Sequence, residues 1–271
     1  MDSETVSMTF GDVEVRRGGS GRPLVVLHRD TGGNGWTDFH RALAKDHLVI
    51  APSLPGFDGS TLPAWLRDPI HLAVMTGQIL DRLGVALPCA MVGLGFGGWL
   101  AALLATMGHD RISDLVLVSP MGLKPAAGEV VDQFLFTAPA YVKMGFADPA
   151  IYERIFTGNT GSPSEAVLAG WDRARETMTR IAWKPIGYDP QLPALLAGVS
   201  ARSLVLWGSE DRIVPPRCAS QWAEALGSQC TIVPGGHQLD LEAPEALAAR
   251  VAAFLKAGQT RRPAESSQTV A

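Results

Sequence analysis

Cysteine is scarce in this chain, and no cysteine stands where it could build a metal site. The 271 residues include three cysteines, Cys89, Cys218 and Cys230, which are widely spaced and odd in number. No Cys-x-x-Cys pair or Cys/His cluster is present, so neither a zinc site nor a framework of disulfide bonds is expected. The sequence predicts three free thiols in a reducing, cytoplasmic environment.

The chain also lacks a concentration of positive charge and a long apolar run. Its net charge is −4 and no basic stripe is visible, so nucleic acid is not an expected partner. The segment Met1–Phe10 is polar and carries two acids, which is unlike a signal peptide. The most apolar helical run, Trp99–Met107, is too short to span a bilayer. We therefore expect no membrane partner either, and the sequence makes no prediction about oligomeric state.

What the chain has in quantity is apolar residues. They make up 46% of the sequence and charged residues 18%, a balance typical of a globular protein with a sizeable core. A length of 271 residues suits one α/β domain that carries an insertion.

Short β-rich runs alternate with helical runs, which predicts a mostly parallel, eight-stranded sheet flanked by helices. The predicted strands are Val6–Phe10, Val13–Arg17, Pro23–His28, His47–Ala51, Cys89–Val92, Leu115–Val118, Arg202–Trp207 and Gln229–Val233. The predicted helices are Trp36–Lys45, Arg67–Leu83, Gly97–Met107, Cys218–Leu226 and Pro244–Leu255.

One stretch, residues 121–195, interrupts the alternation and has no strand signal. Helical patterns over Val130–Phe136, Pro149–Ile155 and Ser164–Ile181 predict an all-helical insertion. Such insertions commonly form lids over clefts, although a second structural domain with no role in a site is the alternative. The predicted organisation is a core of residues 1–120 and 196–257, a helical cap of 121–195 and a disordered tail of 258–271.

Four short motifs follow one another along the predicted core, each after a strand. They are Leu27-His28-Arg29-Asp30, Ala51-Pro52-Ser53-Leu54-Pro55-Gly56-Phe57-Asp58-Gly59-Ser60, Val92-Gly93-Leu94-Gly95-Phe96-Gly97-Gly98, and Leu206-Trp207-Gly208-Ser209-Glu210-Asp211-Arg212-Ile213-Val214-Pro215 with Pro234-Gly235-Gly236-His237 behind it. Any one of these motifs is weak, whereas four in this order are specific.

Together the motifs resemble the α/β-hydrolase fold family over roughly residues 5–257, least securely in the cap. The sequence is most similar to bacterial meta-cleavage-product hydrolases and to the enol-lactone and ester hydrolases related to them. The resemblance implies an α/β-hydrolase fold with a helical cap and an activity on a small, largely apolar carbonyl compound. It implies no cofactor, since nothing in the sequence requires a metal, a nucleotide or a flavin.

The glycines Gly93, Gly95 and Gly98 also match the pattern G-x-G-x-x-G of dinucleotide-binding folds. These glycines follow a late strand, whereas the dinucleotide-binding pattern belongs to the first βαβ unit of its fold. The acid at a suitable distance, Asp114, lies at the start of a strand instead of its end. The dinucleotide alternative is therefore disfavoured.

Asp211 and His237 occupy the positions where the family carries its acid and its base. A carboxylate that accepts the Nδ1 proton fixes the imidazole tautomer and leaves Nε2 free to act as a base. The alternative is that Asp211 caps a loop and His237 is a buried structural residue. His28 matches the loop histidine of the family, and we expect it to hold that loop rather than to transfer protons.

The nucleophile of the family is missing. Its G-x-S-x-G motif reads Gly93-Leu94-Gly95-Phe96-Gly97 here, so the flanking glycines are kept and the serine is replaced by Gly95. The resemblance assigns the oxyanion hole to the backbone of Phe96 and Asp30, although a carboxylate at position 30 would repel an oxyanion. Arg29, where the family has glycine, could neutralise Asp30, or the two could form a surface ion pair turned away from the site.

Arg29, Trp183 and Phe136 are the candidate substrate-binding residues. The two aromatic residues belong to an apolar set in the cap, most of which we expect to pack within the cap itself. That set is Phe134, Phe136, Tyr141, Met144, Phe146 and Trp183.

Three functions remain open from the sequence. The first is an enzyme that uses His237 as a general base without a covalent step. The second is a non-catalytic protein that binds a small molecule in the pocket of a hydrolase fold. The third is a serine hydrolase that has lost its nucleophile by decay or by engineering.

Overall fold

A computed structural model describes residues 1–108 and 111–259 of the chain. Its strands confirm the predicted set, most of them within two residues at each end. They are β1 (Asp2–Met8), β2 (Gly11–Gly18), β3 (Pro23–Leu27), β4 (Leu48–Pro52), β5 (Cys89–Leu94), β6 (Ile112–Val118), β7 (Arg202–Gly208) and β8 (Gln229–Val233).

The eight strands form one open sheet in the order β1-β2-β4-β3-β5-β6-β7-β8. β1 and β2 are an antiparallel hairpin, and β2 pairs antiparallel with β4. Every other pair of neighbours is parallel, from β4 and β3 through to β7 and β8. The predicted α/β class and the eight-stranded, mostly parallel sheet are therefore confirmed. The carboxyl ends of the parallel strands all meet at one edge, where open α/β sheets place their sites.

Helices cover both faces of the sheet. The helices of the described residues, of which α4 to α7 lie between β6 and β7, are α1 (Asp38–Leu43), α2 (Pro69–Arg82), α3 (Phe96–Met107), α4 (Ala138–Met144), α5 (Pro149–Tyr152), α6 (Glu165–Ile181), α7 (Leu192–Leu196), α8 (Cys218–Leu226), α9 (Leu239–Glu242) and α10 (Pro244–Gln259). Successive strand residues point to opposite faces. Leu24 and Val26 of β3 pack with α1 and α10, whereas Val25 and Leu27 pack with α2, α3 and α8.

The segment between β6 and β7, which we call the cap segment (residues 121–195), is built from helices and turns. The expected helix over Val130–Phe136 is wrong, because only a 3₁₀ turn forms at Gln133–Leu135. The Asp132 carboxylate accepts a hydrogen bond from Phe134 N, and Val131 N donates to Ile213 O, so the backbone is engaged outside a helix. The expected helix over Pro149–Ile155 is α5 followed by a π turn. The helices α4 and α7 were not predicted.

The carboxyl-terminal tail was expected to begin at residue 258. The structure instead continues α10 through Gly258 and Gln259, which corrects that boundary. Residues 260–271 lie outside the described residues. No helix within the described ranges is both long and apolar enough to cross a membrane.

Helix α1 carries a buried histidine with consequences for acid stability. His40 is buried, and its Nδ1 accepts a hydrogen bond from Thr37 N at 3.2 Å. Burial lowers the pKa of His40 from 6.5 to about 4, and burial likewise lowers the pKa of His28. Between pH 6.5 and about 4 the unfolded chain therefore binds protons that the folded chain does not.

We expect the free energy of unfolding to fall as the pH is lowered through this window. The loss from His40 alone is about 3 kcal/mol, since one unit of pKa corresponds to about 1.4 kcal/mol. His40→Gln removes the titrating group and keeps a residue that suits this capping position, so it should flatten the slope. Urea unfolding at a series of pH values measures it. His71→Gln, at a half-exposed histidine of α2, is the control, and an unchanged slope in His40→Gln would contradict the expectation.

Candidate active site

A sharp turn joins β5 to α3 at the carboxyl edge of the sheet, with Gly95 at its apex. Gly95 has φ +50° and ψ −114°, a conformation that side chains rarely adopt. A Cβ on Gly93 would lie 2.5 Å from Gly97 O, and a Cβ on Gly97 would collide with the carbonyl oxygens of Leu27 and His28. The two flanking glycines are therefore required by close backbone packing, and the strained turn persists although no reactive side chain stands on it.

Asp211 and His237 are brought together by the loops after β7 and β8. His237 Nδ1 lies 2.8 Å from Asp211 Oδ2, and both side chains are essentially inaccessible to solvent. The other carboxylate oxygen of Asp211 accepts hydrogen bonds from Ile213 N and Val214 N, each at 2.9 Å. The backbone thus fixes the carboxylate, and the carboxylate fixes the imidazole with Nε2 directed away from it.

The imidazole faces the turn. An ideal Cβ built on Gly95 lies 3.1 Å from His237 Nε2. That nitrogen is buried and has no hydrogen-bond partner among the described residues. The structure thus brings Asp211, His237 and Gly95 together, with no hydroxyl on the turn that the imidazole faces.

Arg29 occupies the space beside Gly95. Its side chain is 1% exposed, and its Nη1 and Cγ lie 3.3 and 3.4 Å from the same Cβ position. Nε and Nη2 donate to Asp240 Oδ1 at 3.0 and 2.6 Å. The expectation of a surface Arg29–Asp30 ion pair is wrong, because Asp240 at the start of α9 supplies the counter-charge and the pair is buried.

Asp30 has a different partner, which lies in the cap segment. Tyr141 of α4 donates its hydroxyl hydrogen to Asp30 Oδ2 at 2.7 Å, and both residues are buried. Burial, reinforced by the Asp30 carboxylate, raises the pKa of Tyr141 well above its usual value, so the hydroxyl remains a donor. Arg29 therefore does not neutralise Asp30 by pairing with it, and Asp30 instead connects the loop after β3 to the cap.

His28 and Phe96 flank this centre. His28 Nδ1 lies 2.7 Å from Arg29 O, and Nε2 accepts a hydrogen bond from Leu54 N at 2.9 Å. This contact joins two loops, as the sequence predicts for His28. Phe96 is fully buried and is the first residue of α3. Its backbone N–H therefore has no hydrogen-bond partner within the helix, and it lies at the amino-terminal end, where the helix dipole is positive.

The two aromatic candidates of the cap lie mainly at the surface. Trp183 is 52% exposed and Phe136 is 38% exposed, whereas Gly95 and His237 are buried. Phe136 lines an open surface groove of about 640 Å³ together with Leu135 and Tyr188. A contact of either aromatic side chain with substrate remains a prediction.

One carboxylate connects the cap segment to the loop of His237. Glu242 Oε1 accepts hydrogen bonds from Ala147 N at 2.7 Å and Asp148 N at 3.3 Å, both in the cap segment. Its other oxygen accepts from Gly236 N at 2.6 Å, directly before His237. The same side chain therefore holds the cap and the base.

Sequence reasoning missed Asp240 and assigned Tyr141 only to the apolar set of the cap. Asp240 lies 211 positions from its partner Arg29, and Tyr141 lies 111 positions from Asp30. An acid in the sequence Gln238-Leu239-Asp240-Leu241 resembles any helix-start residue, so no local signal identifies it. The unusual Arg29-Asp30 pair in an apolar context was the one available indication that further charged partners had to be nearby.

The fold and the site agree with a single protein family. The sequence model of the Alpha/beta hydrolase family matches residues 24–250, and the chain belongs to that family. Curated relatives and solved structures agree with the class, and the resemblance predicted from the four motifs is confirmed.

The chain is 30% identical over 249 residues to a dihydrolipoyllysine-residue acetyltransferase component of the acetoin cleaving system from Pseudomonas putida. The match covers 88% of this chain and 65% of that protein, so the chain spans about two thirds of the relative's length. It is 26% identical over 253 residues to a 2-hydroxymuconate semialdehyde hydrolase from a Pseudomonas strain, with 88% of each protein covered. The enol-lactonase from Burkholderia xenovorans has the same fold, with a TM-score of 0.76, 19% identity, and coverage of 93% of this chain and all of that one.

Proposed function

We propose that this chain is an α/β-hydrolase family enzyme in which His237 acts as a general base without a covalent intermediate. Its substrate is a small, largely apolar carbonyl compound with an ester, a lactone or an activated carbon–carbon bond. The observation that carries the proposal is the position of His237 Nε2, which is buried, oriented by Asp211 and directed at the nucleophile position, where Gly95 offers no hydroxyl.

The pair of Asp211 and His237, which we call the dyad, has the groups that general-base catalysis requires. Asp211 accepts the Nδ1 hydrogen bond and would stabilise the imidazolium that forms when Nε2 removes a proton. The first N–H of α3, at Phe96, is available to an oxygen that gains negative charge. Covalent acyl transfer is not possible at Gly95, so the proton must come from water or from the substrate itself.

The names of the relatives support the substrate class. One is a 2-hydroxymuconate semialdehyde hydrolase and another an enol-lactonase, and each name describes an attack on an activated carbonyl compound. We further propose that the cap segment covers the site, because Tyr141 and the backbone of Ala147 are hydrogen-bonded to core residues at its edge.

A second candidate function is the non-catalytic binding of a small molecule. A cleft of about 400 Å³ lies between α1, the cap segment and the start of α10, with Trp36, Ile155 and Phe156 in its wall. Its size is within the range of ligand pockets. Asp240 is the residue that this cleft shares with the buried site.

Variants of the dyad test the enzymatic proposal. We expect His237→Gln to lower kcat/KM by on the order of 10²–10⁴-fold, and Asp211→Asn to do the same because it leaves the tautomer unfixed. A panel of p-nitrophenyl esters, an enol lactone and a vinylogous 1,5-diketone provides the assay. His47→Gln, at another buried histidine that precedes β4, is the matched control.

Mass spectrometry of the protein during turnover should show no acyl adduct. Unchanged turnover in His237→Gln, or an adduct on the wild-type chain, would contradict the proposal. A panel compound that raises the melting temperature but is never converted would favour the binding protein instead.

A further inference from the structure

Two buried nitrogens, His237 Nε2 and Arg29 Nη1, converge on one point. Each lacks a hydrogen-bond partner among the described residues, and each belongs to a side chain that is 1% exposed. They lie 3.1 and 3.3 Å from one common point, the Cβ position of Gly95, so both border the space into which a side chain at position 95 would extend, and one small group held there would face both. Buried polar atoms are nearly always hydrogen-bonded, which makes this pair a binding site for a polar group.

The hydrogen-bonding roles of the two nitrogens are different. Nδ1–H of His237 donates to Asp211, which leaves Nε2 of the neutral ring as an acceptor. Arg29 can only donate, and its Nε and Nη2 are already engaged by Asp240. A single atom that satisfies both must accept a hydrogen bond from Arg29 and donate one to His237. A hydroxyl oxygen does both, whereas the oxygens of a carboxylate only accept.

The local charges lead to the same conclusion. Asp211 contacts His237, Asp240 contacts Arg29 and Asp30 directly follows Arg29 in the chain, and all three carboxylates are buried. Arg29 is the guanidinium that faces the space beside Gly95. Three carboxylates against one guanidinium oppose the entry of another anion, because Coulomb interactions are strong where water is excluded. A neutral ligand meets no such opposition.

We propose that Arg29 and His237 together bind the hydroxyl group of a neutral molecule in the space beside Gly95 that the serine side chain of the family would enter. This hydroxyl belongs either to water or to an alcohol group of the substrate. When it reacts, the O–H bond breaks, the proton moves to Nε2, and the oxygen keeps the electron pair while Arg29 stabilises its negative charge. If the hydroxyl is that of water, the hydroxide forms a C–O bond to the carbonyl carbon, the bond from that carbon to the leaving group breaks, and the leaving group takes the bonding electron pair and the proton from His237. If it is an alcohol group of the substrate, the alkoxide becomes a carbonyl as the neighbouring C–C bond breaks, and the carbon that leaves takes the bonding electron pair and the same proton. The inference rests on the proposed role of His237 as the base.

The structure offers a close control for Arg29. Arg202 donates Nε and Nη2 to a single oxygen of Asp114, at 2.8 and 2.6 Å, which matches the geometry of the Arg29–Asp240 pair. Arg202 lies at the amino-terminal end of β7, far from the carboxyl edge that carries the site. Arg29→Met and Arg202→Met therefore each remove an ion pair with the same two-donor geometry, although the second pair is more exposed, and only the first removes a donor that faces His237. Arg29→Met combined with Asp240→Asn provides a version with no unpaired buried charge.

The test uses the full chain with ¹⁵N-labelled histidine, and His237→Gln assigns the Nε2 resonance by its disappearance. Methanol and sodium acetate are titrated as neutral and anionic probes. We expect methanol to shift the His237 Nε2 resonance in wild type and in Arg202→Met, and not in Arg29→Met or in its double variant. Acetate should cause no comparable shift. A methanol shift that persists without Arg29, or stronger binding of acetate than of methanol, would overturn the inference.

Kinetics separate this inference from the proposed function. Removal of one donor that stabilises a developing charge typically lowers kcat on the order of 10²–10³-fold, so Arg29→Met should lose that much while KM changes little. Arg29→Lys should retain part of the activity. Loss of turnover in His237→Gln together with full turnover in Arg29→Met would support His237 as the base and contradict the binding of a hydroxyl by Arg29. If ester substrates give methyl esters in methanol, methanol has taken the place of water, and the native hydroxyl is that of water. If only hydroxylated ketones are converted, the native hydroxyl belongs to the substrate.

Discussion

A Gly95→Ser variant is expected to remain unreactive towards a fluorophosphonate probe, whereas Gly95→Ser combined with Arg29→Gly becomes labelled. Gly95 has φ +50° and ψ −114°, so an introduced serine costs about 1–3 kcal/mol in backbone strain. Its Cβ, however, would lie 3.3 Å from Arg29 Nη1 and 3.4 Å from Arg29 Cγ. The serine oxygen must then compete with the guanidinium for access to His237. Replacement of Arg29 by glycine, the residue typical of the family, removes this obstacle.

The expected effect is large. In a well-studied serine protease the nucleophile accounts for on the order of 10⁶-fold in kcat, so even an imperfect serine in the double variant should be detected. Burst kinetics with p-nitrophenyl acetate and mass-shift labelling measure it. Gly95→Ala with Arg29→Gly controls for the altered packing and should remain unlabelled. Equal labelling of Gly95→Ser with and without Arg29 would show that the arginine does not obstruct this position.

Asp240→Ala is expected to lower the free energy of unfolding by about 3–5 kcal/mol. Asp240 supplies the carboxylate oxygen that binds both Nε and Nη2 of Arg29. The Arg29 side chain is 1% exposed, so without Asp240 its charge remains in the interior while Nε and Nη2 lose the carboxylate to which they are hydrogen-bonded. Breaking a buried pair in this way is much more costly than exchanging both partners for apolar residues.

The free energy of unfolding of Asp240→Ala is measured in urea and compared with that of Asp114→Ala. This comparison tests whether burial of the ion pair is the cause of the loss. Arg202, the partner of Asp114, is 31% exposed and can regain water, so that variant should lose only about 1 kcal/mol. Arg29→Met combined with Asp240→Leu should recover most of the stability lost in Asp240→Ala. A loss in Asp240→Ala no greater than that in Asp114→Ala would show that the Arg29–Asp240 pair is not isolated from solvent.

The sequence predicted those parts of the molecule that depend on local patterns. The apolar runs of β3, β5 and β6 are typical of strands that are buried on both faces, and they therefore predict the parallel centre of the sheet. Asp211 and His237 were identified because they occupy the positions where the resembled family carries its acid and its base, each in a loop after a strand. Gly93 and Gly97 keep their identity because a Cβ at either would collide with neighbouring backbone.

The remainder depends on contacts between distant parts of the chain, which local periodicity does not encode. Arg29 and Asp30 are adjacent charges of opposite sign, and the simplest prediction pairs them with each other. Instead, α9 brings Asp240 to Arg29, and α4 brings Tyr141 to Asp30. In the cap, the short α4 and α7 have too few turns for a clear helical pattern, and they were missed for that reason.

Because one carboxylate, that of Glu242, accepts hydrogen bonds from the cap segment and from the residue before His237, the positions of these two parts of the molecule are coupled. Any movement of the cap that withdraws Ala147 N also leaves the carboxylate that secures Gly236, the residue before His237, with one fewer fixed partner. On the proposed function, a displaced cap segment would leave the loop of His237 with weaker anchorage, so the order of that loop and the cover over the site would rise and fall together.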